Sequence, residues 1–521
     1  MKLDILLMRQ GLFFLLSGCL FLSGCNKSHI SESTSLIDKK VYLNHQYDRQ
    51  YPPNKVLTKI DHQAGNKKKD NVNEIKKSDK KFHLFTLKNG LKVNYLARDN
   101  SPYINIMAIV KAGKDQLNVK EELLSPLVLK LLRQGTQEYS KPDFQDAVSL
   151  LGEPIRYWQT SQYSVISMNI LPQDMELALT LLAQQLAYVE ADNNACKKIV
   201  EQQLIENKLL HSSGSYLAKL LFYQNNYPQE HVYYQYAPNS RLIKRLNKAE
   251  ILGFYQTHYK ASQSQLIISG DIDVNEMHNQ IVRNFSQWDR QNKYLSDGVP
   301  ATFSNSTSFS TNKGLRFDLI QRKGAQQIDL LYGVVTVPRR SSDWLSLNII
   351  AVLLGGGPSS RLFSDLREQQ GLAYFISARQ LSGRYQSPFF IQTSIAPDKL
   401  IQMVNGINNH IEYLCQNEIK QQELAHIKQQ LRGEILFKLQ TNQQLVNNKR
   451  YQLENGLDND YLYQLSEDIR QINAPQLLKA ANEYLCGQHN FIAVGDLSSI
   501  DKTIEKKLKD YDFRTHHLPL N

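Results

Sequence analysis

Cysteine is scarce in this chain of 521 residues: there are five, an odd number, and two of them, Cys19 and Cys25, fall within the first 25 positions. Small disulfide-built folds need an even, closely spaced set, so that class is excluded. Cys196, Cys415 and Cys486 read as isolated buried thiols. Long apolar runs are also lacking. The one apolar stretch, residues 11–25, is too short to span a bilayer comfortably, and a mean hydropathy of −0.44 argues against an integral membrane protein. No two of the 13 histidines stand four apart. Nothing resembles a phosphate loop, a Ser/Cys hydrolase elbow or a nucleic-acid-binding module.

What is present begins with a leader. Lys2 and Arg9 give a basic start to residues 1–25, an apolar core follows, and Leu22, Ser23, Gly24 and Cys25 close it. That tetrad looks like a bacterial lipobox, which implies a lipoprotein signal peptide over 1–25 with lipidation at Cys25. A second tetrad ending at Cys19 would leave a shorter apolar core, so Cys25 is preferred. Asn26 rather than Asp follows, and by resemblance to lipoprotein sorting signals this favours the outer membrane, facing the periplasm.

The net charge of +11 is concentrated. Residues 26–81 hold thirteen Lys/Arg against seven Asp/Glu, more than half of the excess. The segment is rich in Lys, Asn, Asp and Ser with little apolar periodicity, so it reads as a solvated tether. A basic tether touches anionic lipid readily; nucleic acid is not indicated.

The body falls into two similar plans, 82–295 and 314–510, separated at 296–313 by Gly, Pro, Ser and Asn. The first opens with strands over 82–87 and 91–96 joined through Asn89 and Gly90, a turn pair. Residues 104–110 form another strand, and a helix runs over 120–133. The second opens with strands over 315–320 and 327–335 and a long apolar helix over 344–354. The halves also close alike. A helix end at Tyr259 precedes a strand reaching Gly270, and a helix end at Tyr484 precedes a strand reaching Gly495. Both spacings are 11, and the copies are offset by 225 residues. A repeat of that length is a duplicated domain rather than a solenoid, and strands without strict βαβ alternation make the class α+β.

One run carries most of the chemistry. Leu354 is followed by Gly355, Gly356 and Gly357, then Ser360, Arg361 and Leu362, then Leu366, Arg367 and Glu368, then Gly371, Leu372, Ala373 and Tyr374. Three glycines after an apolar helix let another backbone approach closely, and Pro358, Ser359 and Ser360 start a new helix with serine caps. The run resembles the second-domain signature of the insulinase/pitrilysin zinc peptidases, and the resemblance covers about residues 82–510. It implies two homologous domains of the mitochondrial-processing-peptidase/insulinase type, each a mostly antiparallel sheet with helices on one face. It also implies substrate contact by Arg367 and Tyr374, with Gly355, Gly356 and Gly357 nearby. An arginine suits peptide carbonyls and a phenol suits an oxyanion.

The same resemblance places a His-x-x-Glu-His zinc motif shortly before Gly135 and Thr136. Its positions fall on Pro126, Leu129 and Lys130. Proline and leucine cannot ligate zinc, and a lysine ammonium repels it. The later Glu ligand would come from the helix around Glu201 and Glu206. Glu423 and His426 have helical ligand spacing but lie in a polar, solvated stretch. His258 reads as a packed helix-end residue, and Tyr223, Tyr227, Tyr233, Tyr234 and Tyr236 as packing rather than a peptide groove. No metal and no other cofactor is expected in this chain, zinc only in a partner subunit. In the family, two half-shells enclose a peptide chamber. A two-subunit bacterial branch gives the zinc motif to one subunit and the Arg/Tyr pair to the other. The expectation is a non-catalytic subunit that binds peptide for a zinc-bearing partner, as a heterodimer or homodimer, held to the membrane by lipid. The alternatives are an active zinc metalloendopeptidase with a non-standard site, or a scaffold with no proteolytic role.

Overall fold

The computed structural model describes residues 82–237, 239–288, 314–487, 489–496, 498 and 504–516. The leader 1–25, Cys25, the tether 26–81 and the linker 296–313 lie outside the described residues. Among the described residues no helix is long and apolar enough to cross a membrane.

The first strands are β1 (His83–Thr86) and β2 (Lys92–Ala97), antiparallel with Thr86 opposite Lys92. The loop between them is closed by the Leu87 N–H on the Leu91 carbonyl, leaving three residues, 88–90, of which Gly90 alone takes a positive φ, +90°. A three-residue loop needs one such position, not the two of a two-residue turn. The Asn89 amide instead donates to the Phe285 carbonyl at 2.7 Å, tying the hairpin to the far end of the first half.

Strands β3 (Ile104–Val110), β4 (Arg156–Gln159), β5 (Ser164–Ile170) and β6 (Ser264–Gly270) complete a six-stranded sheet in the order β1-β2-β6-β3-β5-β4. The β2–β6 pair is parallel and the others are antiparallel. The second half repeats the order with β7 (Leu315–Gln321), β8 (Ile328–Val335), β9 (Ala373–Gln380), β10 (Pro388–Ile395), β11 (His489–Gly495) and β12 (Asp512–His516), arranged β12-β7-β11-β8-β10-β9. The β6 and β11 strands are the two copies offset by 225. The second sheet runs past 510, because β12 fills the edge that β1 fills in the first, pairing with β7 in parallel.

The fold class is as the sequence implies, with one addition: helices cover both faces of each sheet. Along β3, Ile106, Ala108 and Val110 face the helices of the first half, whereas Met107 and Ile109 pack on Val446. Val446 belongs to the helix Asn442–Asn455 of the second half. The exchange is mutual. Helix Gly214–Asn226 of the first half sets Leu217, Leu221 and Phe222 against Ile320, Leu331 and Phe390 of the second sheet. Each fully buried apolar side chain of this size contributes about 1.5–3 kcal/mol, so the halves share cores rather than merely touching. All seven residues of β3 are buried, which requires cover on both faces because successive side chains alternate.

Two of the expected free thiols are bonded. Cys415, at the end of helix Leu400–Gln416, and Cys486, just after helix Ala474–Tyr484, form a disulfide with Cα atoms 6.0 Å apart. Packing of the two helices brings together residues 71 positions apart, which no local spacing reveals. Among the described residues Cys196 is free and buried.

Candidate functional site

Helix Val119–Leu131 carries the positions where the zinc motif would stand. It starts on a capping box, Asn118 with Glu121, and it holds despite Pro126, whose missing N–H costs one backbone bond. Leu129 is buried in the core. Lys130 reaches across to helix Asn193–Ser212, where its ammonium donates to the Gln203 side-chain oxygen at 2.5 Å and to Glu206 at 2.7 Å. Of the two glutamates singled out in the sequence, Glu206 is therefore the partner, while Glu201 is solvent-exposed. Gln203 was not singled out; one turn before Glu206, it shares that face. These residues do not fit zinc. Two offer no donor atom, and the third is a cation that already takes the nearest carboxylate. Among the described residues no group of three or more His, Cys, Asp or Glu side chains is placed to hold a metal ion.

His258 packs at its helix end as expected, tilted against Phe254 with centroids 4.3 Å apart and its Nε2 3.0 Å from Glu121. Burial pushes the Glu121 carboxyl up, but hydrogen bonds from His258 and the Asn118 N–H outweigh it and leave the group below its usual range. The tyrosines form a packed seam. Tyr223 stacks on Tyr227 and Tyr227 on His231, while Tyr227 donates to the Gln386 carbonyl at 2.9 Å. Burial holds the His231 imidazole down, at about 4.

Two carboxyls here escaped sequence reasoning. Glu122, one turn before Pro126, is pushed up to about 7 by burial, with Lys114 opposing. Asp115 is buried where the halves meet. Burial first, and Glu454 second, raise it well above the carboxylate range, against Arg384 and Lys114. The groups acting on Asp115 include residues some 270 to 340 positions later, so no local pattern marks it.

The Gly-rich run does bring its parts together. A Cβ on Gly355 would lie 2.2 Å from the Ala378 backbone nitrogen, so strand β9 passes against this glycine. Gly356 is closed by Val352, 2.7 Å away, and only Gly357 has open space. The serine caps expected here are not formed: the Ser360 hydroxyl donates to the Gly357 carbonyl at 2.6 Å. Residues Phe363–Gln369 form a π-helix, carrying Arg367, and the chain turns at Gly371, φ +62°, into β9. The Arg367 guanidinium lies 4.2 Å from the Phe363 ring centroid and 5.6 Å from that of Tyr374. Its ion pair with Glu368 is long, 3.6 Å, and Tyr374 is 85 % exposed on an edge strand. A half-buried guanidinium and an exposed phenol thus stand side by side at the sheet edge.

Residues 245–431 match the family model described as peptidase M16 inactive domain. That description makes this stretch of the chain similar to the M16 peptidases. A Rickettsia bellii protein named as an uncharacterized zinc protease is 25 % identical over 433 residues, covering 80 % of this chain and 97 % of its own. Among solved structures, a Helicobacter pylori protease superposes with a TM-score of 0.72 at 18 % identity, over 80 % of this chain and 99 % of that one. A peptidase M16 inactive domain from Pseudomonas fluorescens gives 0.68 at 18 %, over 81 % and 99 %. At these identities the structures establish the M16 fold alone.

Proposed function

We propose that this chain is a non-catalytic M16-type subunit that binds peptide for a zinc-bearing partner, anchored by lipid at Cys25 in the outer membrane and facing the periplasm. The observation that carries the reading is the Lys130–Glu206 pair. A lysine charge sits where the family pattern would put a metal, so hydrolysis needs zinc from elsewhere, while Tyr374 stands exposed with the half-buried Arg367 beside it. Water activation by zinc requires a set of ligands, and none is assembled among the described residues of the first half. The partner supplies the metal; this chain supplies hydrogen-bond donors that hold extended backbone.

The test is co-expression with an M16 relative that carries His-x-x-Glu-His, purification of the pair, and a peptide-cleavage assay. Cleavage by the pair, none by either chain alone, and a loss of about tenfold or more in kcat/KM for Arg367→Ala are expected, the size of a lost charged hydrogen bond. Failure to associate, or full activity in Arg367→Ala, removes the subunit reading and leaves a scaffold.

A further inference from the structure

A cleft of about 770 Å³ opens in the second half beside the Gly-rich loop. That volume lies in the range of sites that bury a small ligand. Part of its lining is apolar, from Val352, Leu353 and Ile427; the polar part comes from the segment after the glycines, with Arg361 and Asp365, from Lys420, and from helices Leu400–Gln416 and Gln421–Lys438. Its two carboxylates are already occupied. Glu423 takes both Nε and Nη2 of Arg361, at 2.9 and 2.7 Å, and Asp365 pairs with His410 at 2.7 Å and with the Gln370 amide at 2.8 Å. Arg361 is further steadied over the Tyr413 ring, 5.3 Å away. This accounts for Glu423, whose spacing to His426 had the look of a ligand pair.

Two other basic side chains of the lining are not so placed. Lys420 and His426 both line the cleft and are exposed, and neither side chain makes a hydrogen bond or ion pair among the described residues. An acceptor-only group is therefore what this lining lacks, and the apolar portion beside it suits a short hydrocarbon stem. Gln422, with an amide oxygen to accept a backbone N–H, lines the same cleft. Carboxylate, apolar side chain and adjoining N–H are the three features of a peptide end.

We propose that this cleft binds the C-terminal carboxylate of a peptide whose last residue is apolar, with Lys420 and His426 holding the carboxylate and Val352, Leu353 and Ile427 receiving the side chain. The inference extends the peptide-binding reading above but requires neither a partner nor cleavage, so it is read out on this chain alone.

The full mature chain is titrated calorimetrically with acetyl-Ala-Ala-Leu, with the same tripeptide as its C-terminal amide, and with acetyl-leucine. The free acid binds about tenfold or more tighter than the amide, because charge-assisted bonds to the carboxylate are the strong ones. Lys420→Ala and His426→Ala, both at exposed positions that leave the fold intact, each weaken the acid several-fold and leave the amide unchanged. Equal binding of acid and amide, indifference to both substitutions, or no saturable binding at millimolar peptide overturns the proposal. Acetyl-leucine binding as tightly as the tripeptide overturns a peptide as the ligand. Tripeptide binding that persists where the paired cleavage assay fails sinks the subunit reading alone.

Discussion

Truncating Phe222 to alanine tests whether the two halves are one cooperative body. Phe222 comes from the first half, is fully buried, and meets Phe390 of the second sheet edge-on with centroids 4.8 Å apart. The fit is close: a Cβ on Gly333 of β8 would lie 2.6 Å from its ring. Removing a buried Phe side chain costs about 3–5 kcal/mol, part lost transfer and part residual cavity. If the shared cores couple the halves, that loss falls on both. The three tryptophans report them separately, Trp158 and Trp288 in the first half and Trp344 in the second. Urea unfolding is followed by fluorescence in a Trp344→Phe background and in a Trp158→Phe/Trp288→Phe background, each with and without Phe222→Ala. In both backgrounds the midpoint drops by the same amount and the transition stays single. A second-half probe that moves while the first-half probe stays in place would refute the coupling, and with it the account of the exchanged helices.

Three further outcomes are expected. Pro126→His with Lys130→His puts two imidazoles one helical turn apart facing Glu206. The double variant gains one zinc per chain by equilibrium dialysis, whereas the parent gains none; no gain places the helix pair wrongly for a metal. The neutral Glu122 is favoured in the fold, since its carboxyl is raised from 4.5 to about 7. The fold therefore keeps a proton that the unfolded chain has released. Stability falls as pH rises from about 4.5 through 7, by about 2–3 kcal/mol in total, and Glu122→Gln flattens that slope in denaturant titrations at several pH values. Replacing Cys415 and Cys486 by serine opens a loop of about seventy residues and lowers stability by about 4 kcal/mol in the chain-entropy description. An unchanged unfolding midpoint, or one equally insensitive to dithiothreitol in the parent, would argue that the bond does not form.

The strands and the duplication were legible because their signals are local. Apolar runs and turn residues mark β2, β3, β7 and β8 within a few positions, and the two residues singled out in the run 354–374, Arg367 and Tyr374, lie close together in the fold. What escaped depends on partners far along the chain. The apolar residues of β3 occur at both parities, which signals burial on both faces, but not that Val446 supplies the second cover. Cys415 and Cys486 look like lone thiols until two helices pack. That Glu206 and Gln203 pair with Lys130 depends on the neighbouring helix, which nothing near Lys130 in the chain announces. The serine caps failed because the residues after the glycines wind into a π-helix, whose first turn leaves the Ser360 hydroxyl facing back to Gly357.

The exchanged helices also set an order on biosynthesis. A chain emerging from its N-terminus, whether from the ribosome or through an export channel, lays down β3 with Met107 and Ile109 outward, yet residues 442–455 that cover them follow more than three hundred positions later. Throughout that interval the first sheet exposes an apolar surface of the kind that aggregates. The nascent chain is thus a natural client for holding factors, and truncation anywhere before Asn442 yields a product with an unfinished face rather than a smaller domain.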